Sequence, residues 1–309
     1  MKHPLNIAVL NGGSGSEREV SLRSGGCVAD ALKSRGHQVE RIDVRDANFP
    51  LPEGVDIAVI MLHGVFGEDG GIQAVLEERG VPYTGEGVEA SRVAFDKILS
   101  KAAFVKAGVP TPNYEVLREG GKPTLPLPYV VKAPREGSSV GIHIVKVPEQ
   151  LDEALTDVAR FGNDVLIEAF IPGRELTVGI VGGQTLPIIE IIPKSGFYDF
   201  KNKYPWLNPQ GAAEHFCPAA LTDDEAALIN KIAQEANAAL DLKVYCRVDF
   251  ILPEDGQPSV LEINTIPGMT ESSLLPEAAA KVGVDFPALC EQLIALSFEK
   301  HSCENSPQQ

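Results

Sequence analysis

The chain opens with a short apolar run, Leu5–Leu10, which gives way to the glycine-rich turn Asn11-Gly12-Gly13-Ser14-Gly15. Behind the turn the apolar period lengthens. Val20, Cys27, Val28, Ala31 and Leu32 fall on one helical face, and Gly36 supplies a stop. Ser16 and Glu19 stand at capping-box spacing, which predicts that the helix is capped at Ser16. Val55–Leu62 reads as a second apolar strand, of the kind buried in a parallel sheet. Strand–helix–strand order at this spacing predicts a right-handed crossover and an α/β first domain over residues 1–85.

Thr84-Gly85-Glu86-Gly87 marks a boundary, followed by a helical stretch from about Glu89 to Ala107. Pro110, Pro112, Pro123, Pro126 and Pro128 punctuate the next region before a strand at Tyr129–Ala133. A helical pattern over Gln150–Phe161 and a strand at Val165–Phe170 complete a central domain, residues 86–175. Residues 176–309 then carry strands, a polar loop near Pro193–Glu214, a helix at about Asp223–Leu240 and a strand pair. The tail after Lys300 is polar, and no internal repeat is visible.

Composition narrows the function classes. At 309 residues, 44 % apolar and 23 % charged, the chain has the make-up of a globular protein of two or three domains. Its 27 basic and 43 acidic residues leave a net charge of −16, which disfavours nucleic acid and anionic membrane surfaces as general partners. No run of 18 apolar residues occurs, and Met1-Lys2-His3-Pro4 leads directly into the first strand without an apolar signal region. Five scattered cysteines without C-x-x-C spacing predict neither a disulfide frame nor a zinc site. They fit a reducing, cytoplasmic setting.

The candidate chemistry is concentrated in four segments. In Arg247-Val248-Asp249-Phe250-Ile251-Leu252 and Val260-Leu261-Glu262-Ile263-Asn264, strand alternation puts Val248, Phe250 and Leu252 on one face and Leu261 with Ile263 on another. If those faces meet the core, Arg247, Asp249, Glu262 and Asn264 gather opposite. The carboxylates and amide form an oxygen set suited to Mg²⁺ or Mn²⁺. An ordinary solvated strand face gives the same pattern. In Lys132-Ala133-Pro134-Arg135-Glu136-Gly137-Ser138-Ser139-Val140-Gly141 a lysine ends a strand before a small flexible loop, which suits a phosphate cradle and equally a plain hairpin turn. His63-Gly64 follows the carboxyl end of the second strand, where open α/β sheets bind ligands. Ser195–Tyr204, with its aromatics and lysines, suggests a lid that closes on a ligand, or a surface loop with aromatic anchors.

Taken in order, Glu17-Arg18-Glu19-Val20-Ser21, His63-Gly64, Glu136–Gly141, Phe197-Tyr198-Asp199 with Lys203-Tyr204, and Glu262-x-Asn264-Thr265-x-Pro267-Gly268-Met269-Thr270 resemble the D-alanine–D-alanine ligase family of the ATP-grasp superfamily. The resemblance runs from Ile7 to about Leu296. It implies a mixed α/β and α+β fold in which an N-terminal Rossmann-like domain precedes two domains that grip ATP between their sheets.

The activity it implies is joining of two D-alanines through an acyl phosphate for peptidoglycan synthesis, with ATP, two Mg²⁺ or Mn²⁺ ions and a homodimeric state. By motif match, Lys97 and Lys132 would contact the phosphates, Glu168, Ala169 and Ile171 the adenine, Glu175 the ribose and Lys203 the γ-phosphate. Asp249, Glu262 and Asn264 would hold the metals. Glu17 would bind the first ammonium, and His63 would lie near its carboxylate. Ser138, which would also contact ATP, and Tyr204 would orient the closed site, Arg247 and the Gly268 N–H would stabilise the oxyanion, and Ser273 with Leu274 would hold the second carboxylate. Other readings are a ligase taking D-lactate or another D-amino acid second, a nucleotide-binding protein with a degenerate site, and a metal-dependent hydrolase.

Overall fold

The computed structural model describes residues 4–118, 121–138, 140–193, 213–270 and 272–304 of the chain. Three strands, β1 (Asn6–Gly12), β2 (Gln38–Val44) and β3 (Ile57–Ile60), form a parallel sheet in the order β2-β1-β3. Helix α1 (Arg18–Ser34) makes the crossover from β1 to β2. β2 was not anticipated, because its Gln38, Glu40, Arg41 and Asp43 mask the two buried positions Ile42 and Val44 of an edge strand. The sheet is buried on both sides. Ile7, Val9, Ile57 and Val59 pack with α1 and with the C-terminal helix α8 (Phe286–Glu304), while Ala8, Leu10, Ala58 and Ile60 pack with α2 (Gly71–Glu78).

The expected Ser16 cap does not form. α1 begins at Arg18 with Glu17 at the cap position, and no side-chain cap bond is made. Tertiary contacts fix this end of the helix instead. Ser21 Oγ accepts from Gly12 N (2.8 Å) and donates to Met61 O (2.5 Å), while Arg18 donates to Gly13 O and to Asp43. The helical stretch up to Ala107 is likewise two helices, α3 (Val88–Phe95) and α4 (Lys97–Ala107). Asp96 leaves the helical conformation between them, and its carboxylate accepts from Ile98 N and Leu99 N as the cap of α4.

The second sheet is antiparallel, in the order β4 (Tyr114–Leu117), β7 (Val165–Ala169), β5 (Tyr129–Lys132), β6 (Ile142–Val145). Helix α5 (Leu151–Val158) covers the face carrying Tyr129, Val131 and Ile167, which leaves Lys132 and Glu168 on the other face. The third sheet runs β11 (Glu214–Phe216), β10 (Ile189–Ile192), β8 (Arg174–Val181), β12 (Tyr245–Leu252), β13 (Ser259–Asn264), with β9 (Gln184–Thr185) paired to β8. α4 and α6 (Asp223–Ala239) cover the face of Val178, Val248, Phe250 and Leu252. Glu175, Asp249 and Ile251 face the open side of the second sheet. A short helix, α7 (Leu274–Lys281), precedes α8. No described helix is long and apolar enough to cross a membrane.

One buried carboxylate joins these parts. Glu86, just before α3, accepts from the N–H groups of Lys243, Val244 and Tyr245 at 2.8, 2.7 and 3.2 Å. Close by, Gly85 N donates to Ser297 Oγ, and Lys300 Nζ donates to Gly85 O, so α8 holds the same joint from the other side. Glu86→Ala strips an acceptor from three buried donors. We expect a loss of about 3 kcal/mol or more, read as a lower urea midpoint.

Candidate active site

The first wall of the site is the junction of β1 with α1. Glu17 makes no cap bond because its carboxylate is turned toward the loop that follows β5, where Ser138 Oγ donates to Glu17 Oε1. Ser138 has φ +49°, a conformation that L residues other than Asn and Asp seldom adopt. The approach is close enough that a Cβ on Gly137 would stand 2.8 Å from Glu17 Oε2, and one on Gly64 3.1 Å from it. A side chain at Gly137 would push the carboxylate from this seat, and one at Gly64 would crowd it and strain a backbone with φ +73°.

His63 and Glu68 form the floor. The His63 Nε2 is buried with no hydrogen-bond partner among the described residues. Burial pushes the imidazole pKa down, against the pull of Glu17 and of the Ile266 carbonyl. Glu68 is buried and accepts from Gly64 N at 2.7 Å, which fixes the His63-Gly64 turn. Burial, and after it the neighbouring charge of Glu17, pushes the Glu68 carboxyl up to about 8.

Helix α4 supplies the cations. Lys97, its first residue, donates from Nζ to Glu136 O (2.8 Å) and pairs with Glu262 at 3.0 Å, while its N–H donates to Pro134 O. Burial works against the Lys97 charge, but the Glu262 carboxylate outweighs it and holds the pKa above the usual lysine value. Lys101 lies one turn on. With Lys132 it grips the buried Glu168, and it also donates to Thr111 Oγ1 at 2.7 Å. Burial favours a neutral Glu168, yet Lys132 and Lys101 keep its pKa below the ordinary range. Burial, aided by the Lys132 charge, brings Lys101 down to about 8 against the pull of Glu168.

The facing wall is the β12–β13 ladder, where Asp249 stands opposite Glu262 and Arg247 opposite Asn264. Arg247 grips Asp249 with two bonds of 2.9 and 2.7 Å, and Thr177 Oγ1 donates to Asp249 Oδ1 at 2.6 Å. Asn264 Oδ1 accepts from Ile266 N. One expectation fails here. A β-bulge after Asp249 pairs Phe250 with Val260, so Val260 and Ile263 enter the core and Leu261 turns toward the cleft beside Glu262. The slip of one residue explains the change of face.

The donor chemistry of this wall fits a hard divalent cation. Its groups are oxygen donors, and both carboxylates draw positive charge, Asp249 from Arg247 and Glu262 from Lys97. Among the described residues no group of three or more His, Cys, Asp or Glu side chains gathers to hold a metal alone. Two carboxylates and an amide leave coordination positions that phosphate oxygens can fill.

These residues line two cavities. One holds Glu17, His63, Lys97, Ser138, Arg247, Asn264, Gly268, Ser273 and Leu274, and the other Lys132, Glu168, Ala169, Ile171, Glu175 and Asp249. Glu262 borders both. The geometry thus gathers the residues singled out in the sequence, apart from Lys203 and Tyr204, which lie with the 195–204 loop outside the described residues. Glu68, Lys101, Thr177 and His215 were missed. Lys101 had a signal in its spacing of four from Lys97 on one helix, and Glu68 in its place four after Gly64.

Glu68 gives a pH test. Its folded pKa lies above the ordinary 4.5, so the folded chain holds this proton more tightly than the unfolded one. The resulting stability is complete below pH 4.5 and is lost as pH rises through about 8. Glu68→Gln keeps the acceptor for Gly64 N without the titration. Urea midpoints across that window should show the native chain losing stability relative to the variant as pH rises, whereas parallel curves would contradict the assignment.

A sequence profile of the D-ala D-ala ligase C-terminus matches residues 103–295. The D-alanine–D-alanine ligase of Methylacidiphilum infernorum is 48 % identical over 295 residues, 96 % of each chain. That of Citrifermentans bemidjiense is 48 % identical over 292 residues, 93 % of this chain and 94 % of its own. Among solved structures, D-alanine–D-alanine ligase from Bacillus anthracis matches with a TM-score of 0.86 at 32 % identity, over 97 % of this chain and 100 % of that one. The same enzyme complexed with ATP matches at 0.84 and 29 %, with the same coverage. Sequence and architecture agree over nearly the whole length: a Rossmann-like sheet leads into an ATP-grasp pair, and the chain belongs to the D-alanine–D-alanine ligase family.

Proposed function

We propose that the chain joins two D-alanines to D-alanyl-D-alanine at the expense of ATP, giving ADP and phosphate. The observation that carries this reading is the shared wall. Glu262, held by Lys97, borders the cleft between two sheets on one side and a polar cavity containing Glu17, His63 and Arg247 on the other. A phosphoryl group bound in the first can meet a carboxylate bound in the second.

The roles proposed are those the motifs imply, and the linings of the two cavities support them. Lys97 and Lys132 offset the phosphate charge, Glu168 with the backbone of Ala169 and Ile171 takes the adenine, and Glu175 takes the ribose. Lys203 and Tyr204 would close over the site with Ser138. Glu17 binds the first ammonium, and His63 lies toward its carboxylate. Asp249, Glu262 and Asn264 would hold Mg²⁺ or Mn²⁺, which when bound neutralises charge on the transferring phosphoryl group. The phosphorylated carboxylate is then open to the second amine, bound near Ser273 and Leu274. Arg247 and the Gly268 N–H stabilise the oxyanion that forms. Three domains, 1–85, 86–175 and 176–309, a homodimer and a cytoplasmic setting complete the reading, with the dipeptide serving peptidoglycan synthesis.

Two measurements check it. Incubated with Mg²⁺ and ATP, the chain should release ADP only when D-alanine is present, with a product of D-alanyl-D-alanine mass, and Asp249→Ala should abolish both. ADP release without that product, or a depsipeptide mass with D-lactate instead, would overturn the assignment. In Gly137→Ala the new Cβ would displace Glu17 from its seat 2.8 Å away. The KM for the first D-alanine should rise by about tenfold or more, corresponding to one lost charge-assisted contact, and by a larger factor than the KM for ATP.

A further inference from the structure

An amine attacks an acyl phosphate only as the free base, yet an amino acid arrives as its ammonium. The second substrate therefore needs a proton acceptor beside it. The groups described so far leave that side of the cavity without one. Lys97 and Arg247 are cationic, Glu262 is paired with Lys97 and Asp249 with Arg247, and Glu17, His63 and Glu68 lie together at the first substrate's end.

His215 occupies the other end. It projects from β11 into the cavity beside Ser272, Ser273 and Leu274, with its side chain 18 % exposed. Its Nδ1 lies 3.1 Å from Glu277 Oε2. Glu277 sits one turn into α7, and its N–H donates to Ser273 O at 3.0 Å, so the histidine's anchor and the proposed acceptor pocket belong to one helix end. A carboxylate only accepts. The hydrogen of a neutral imidazole therefore lies on Nδ1, and Nε2 keeps its lone pair.

We propose that His215, oriented by Glu277, takes the ammonium proton of the second amino acid. The inference rests on the ligase reading. The N–H bond breaks toward His215 Nε2, the freed nitrogen lone pair forms the C–N bond, and the C–O bond of the acyl phosphate breaks with its electrons leaving on phosphate. The phosphate takes the second N–H proton as the amide forms. Glu277 is a positioning residue that holds the ring in the tautomer this requires.

The test sets two nucleophiles against each other. Hydroxylamine is uncharged near neutral pH and traps an acyl phosphate as its hydroxamate without a base. His215→Gln should lower D-alanyl-D-alanine formation by about 100-fold or more, as for loss of a general base, and leave D-alanyl hydroxamate formation within about threefold. Glu277→Gln should move the same ratio in the same direction by less. Independently of hydroxylamine's access, added imidazole should restore dipeptide formation in His215→Ala. Parallel loss of both products, an unchanged dipeptide rate in His215→Gln, or no response to imidazole would overturn the proposal. A native chain that makes neither product would instead overturn the ligase reading.

Discussion

Lys97 holds the site together. Its N–H is tied to Pro134 and its ammonium to Glu136 and Glu262, so one residue at the start of α4 joins the loop after β5 to strand β13 of the next sheet. That loop in turn carries Ser138 to Glu17 at the mouth of the first sheet. An ammonium this deeply buried is stable only with carboxylate and carbonyl oxygens around it. Charge compensation thereby helps to position the three sheets around one site.

The same constraint governs the rest of the cleft. Lys101 and Lys132 on Glu168, Arg247 on Asp249, and Lys97 on Glu262 pair the charges of both walls. Glu68 has no such cation at hydrogen-bond distance among the described residues, and its carboxyl is correspondingly hard to ionise. A polyphosphate with divalent ions brings charges of both signs, and so can exchange partners with these pairs without leaving a buried charge alone. This is a physical reason for a nucleotide to favour the cleft between the second and third sheets.

Much of this was legible in the sequence where a local rule matched the tertiary outcome. Strand alternation placed Arg247 and Asp249 away from Val248, Phe250 and Leu252, and the structure keeps that division. The described residues that the ordered motifs single out line two cavities that meet at Glu262. Where tertiary contacts decide, the local rules fail. The cap expected at Ser16 yields to the bonds of Ser21 and Arg18, the bulge after Asp249 redirects Leu261, and β2 hides behind its charged edge. Glu68 and His215 stood in view, but their surroundings come from residues distant in sequence: Glu17 for one, Glu277 for the other.

In the proposed reaction a phosphoryl group crosses the Glu262–Lys97 wall onto a bound carboxylate. D-alanine labelled with ¹⁸O in both carboxylate oxygens tests this most directly, with the released inorganic phosphate analysed by mass. Each phosphate should carry one ¹⁸O, the bridging oxygen left by the acyl phosphate. Phosphate free of label, formed alongside labelled dipeptide, would contradict it.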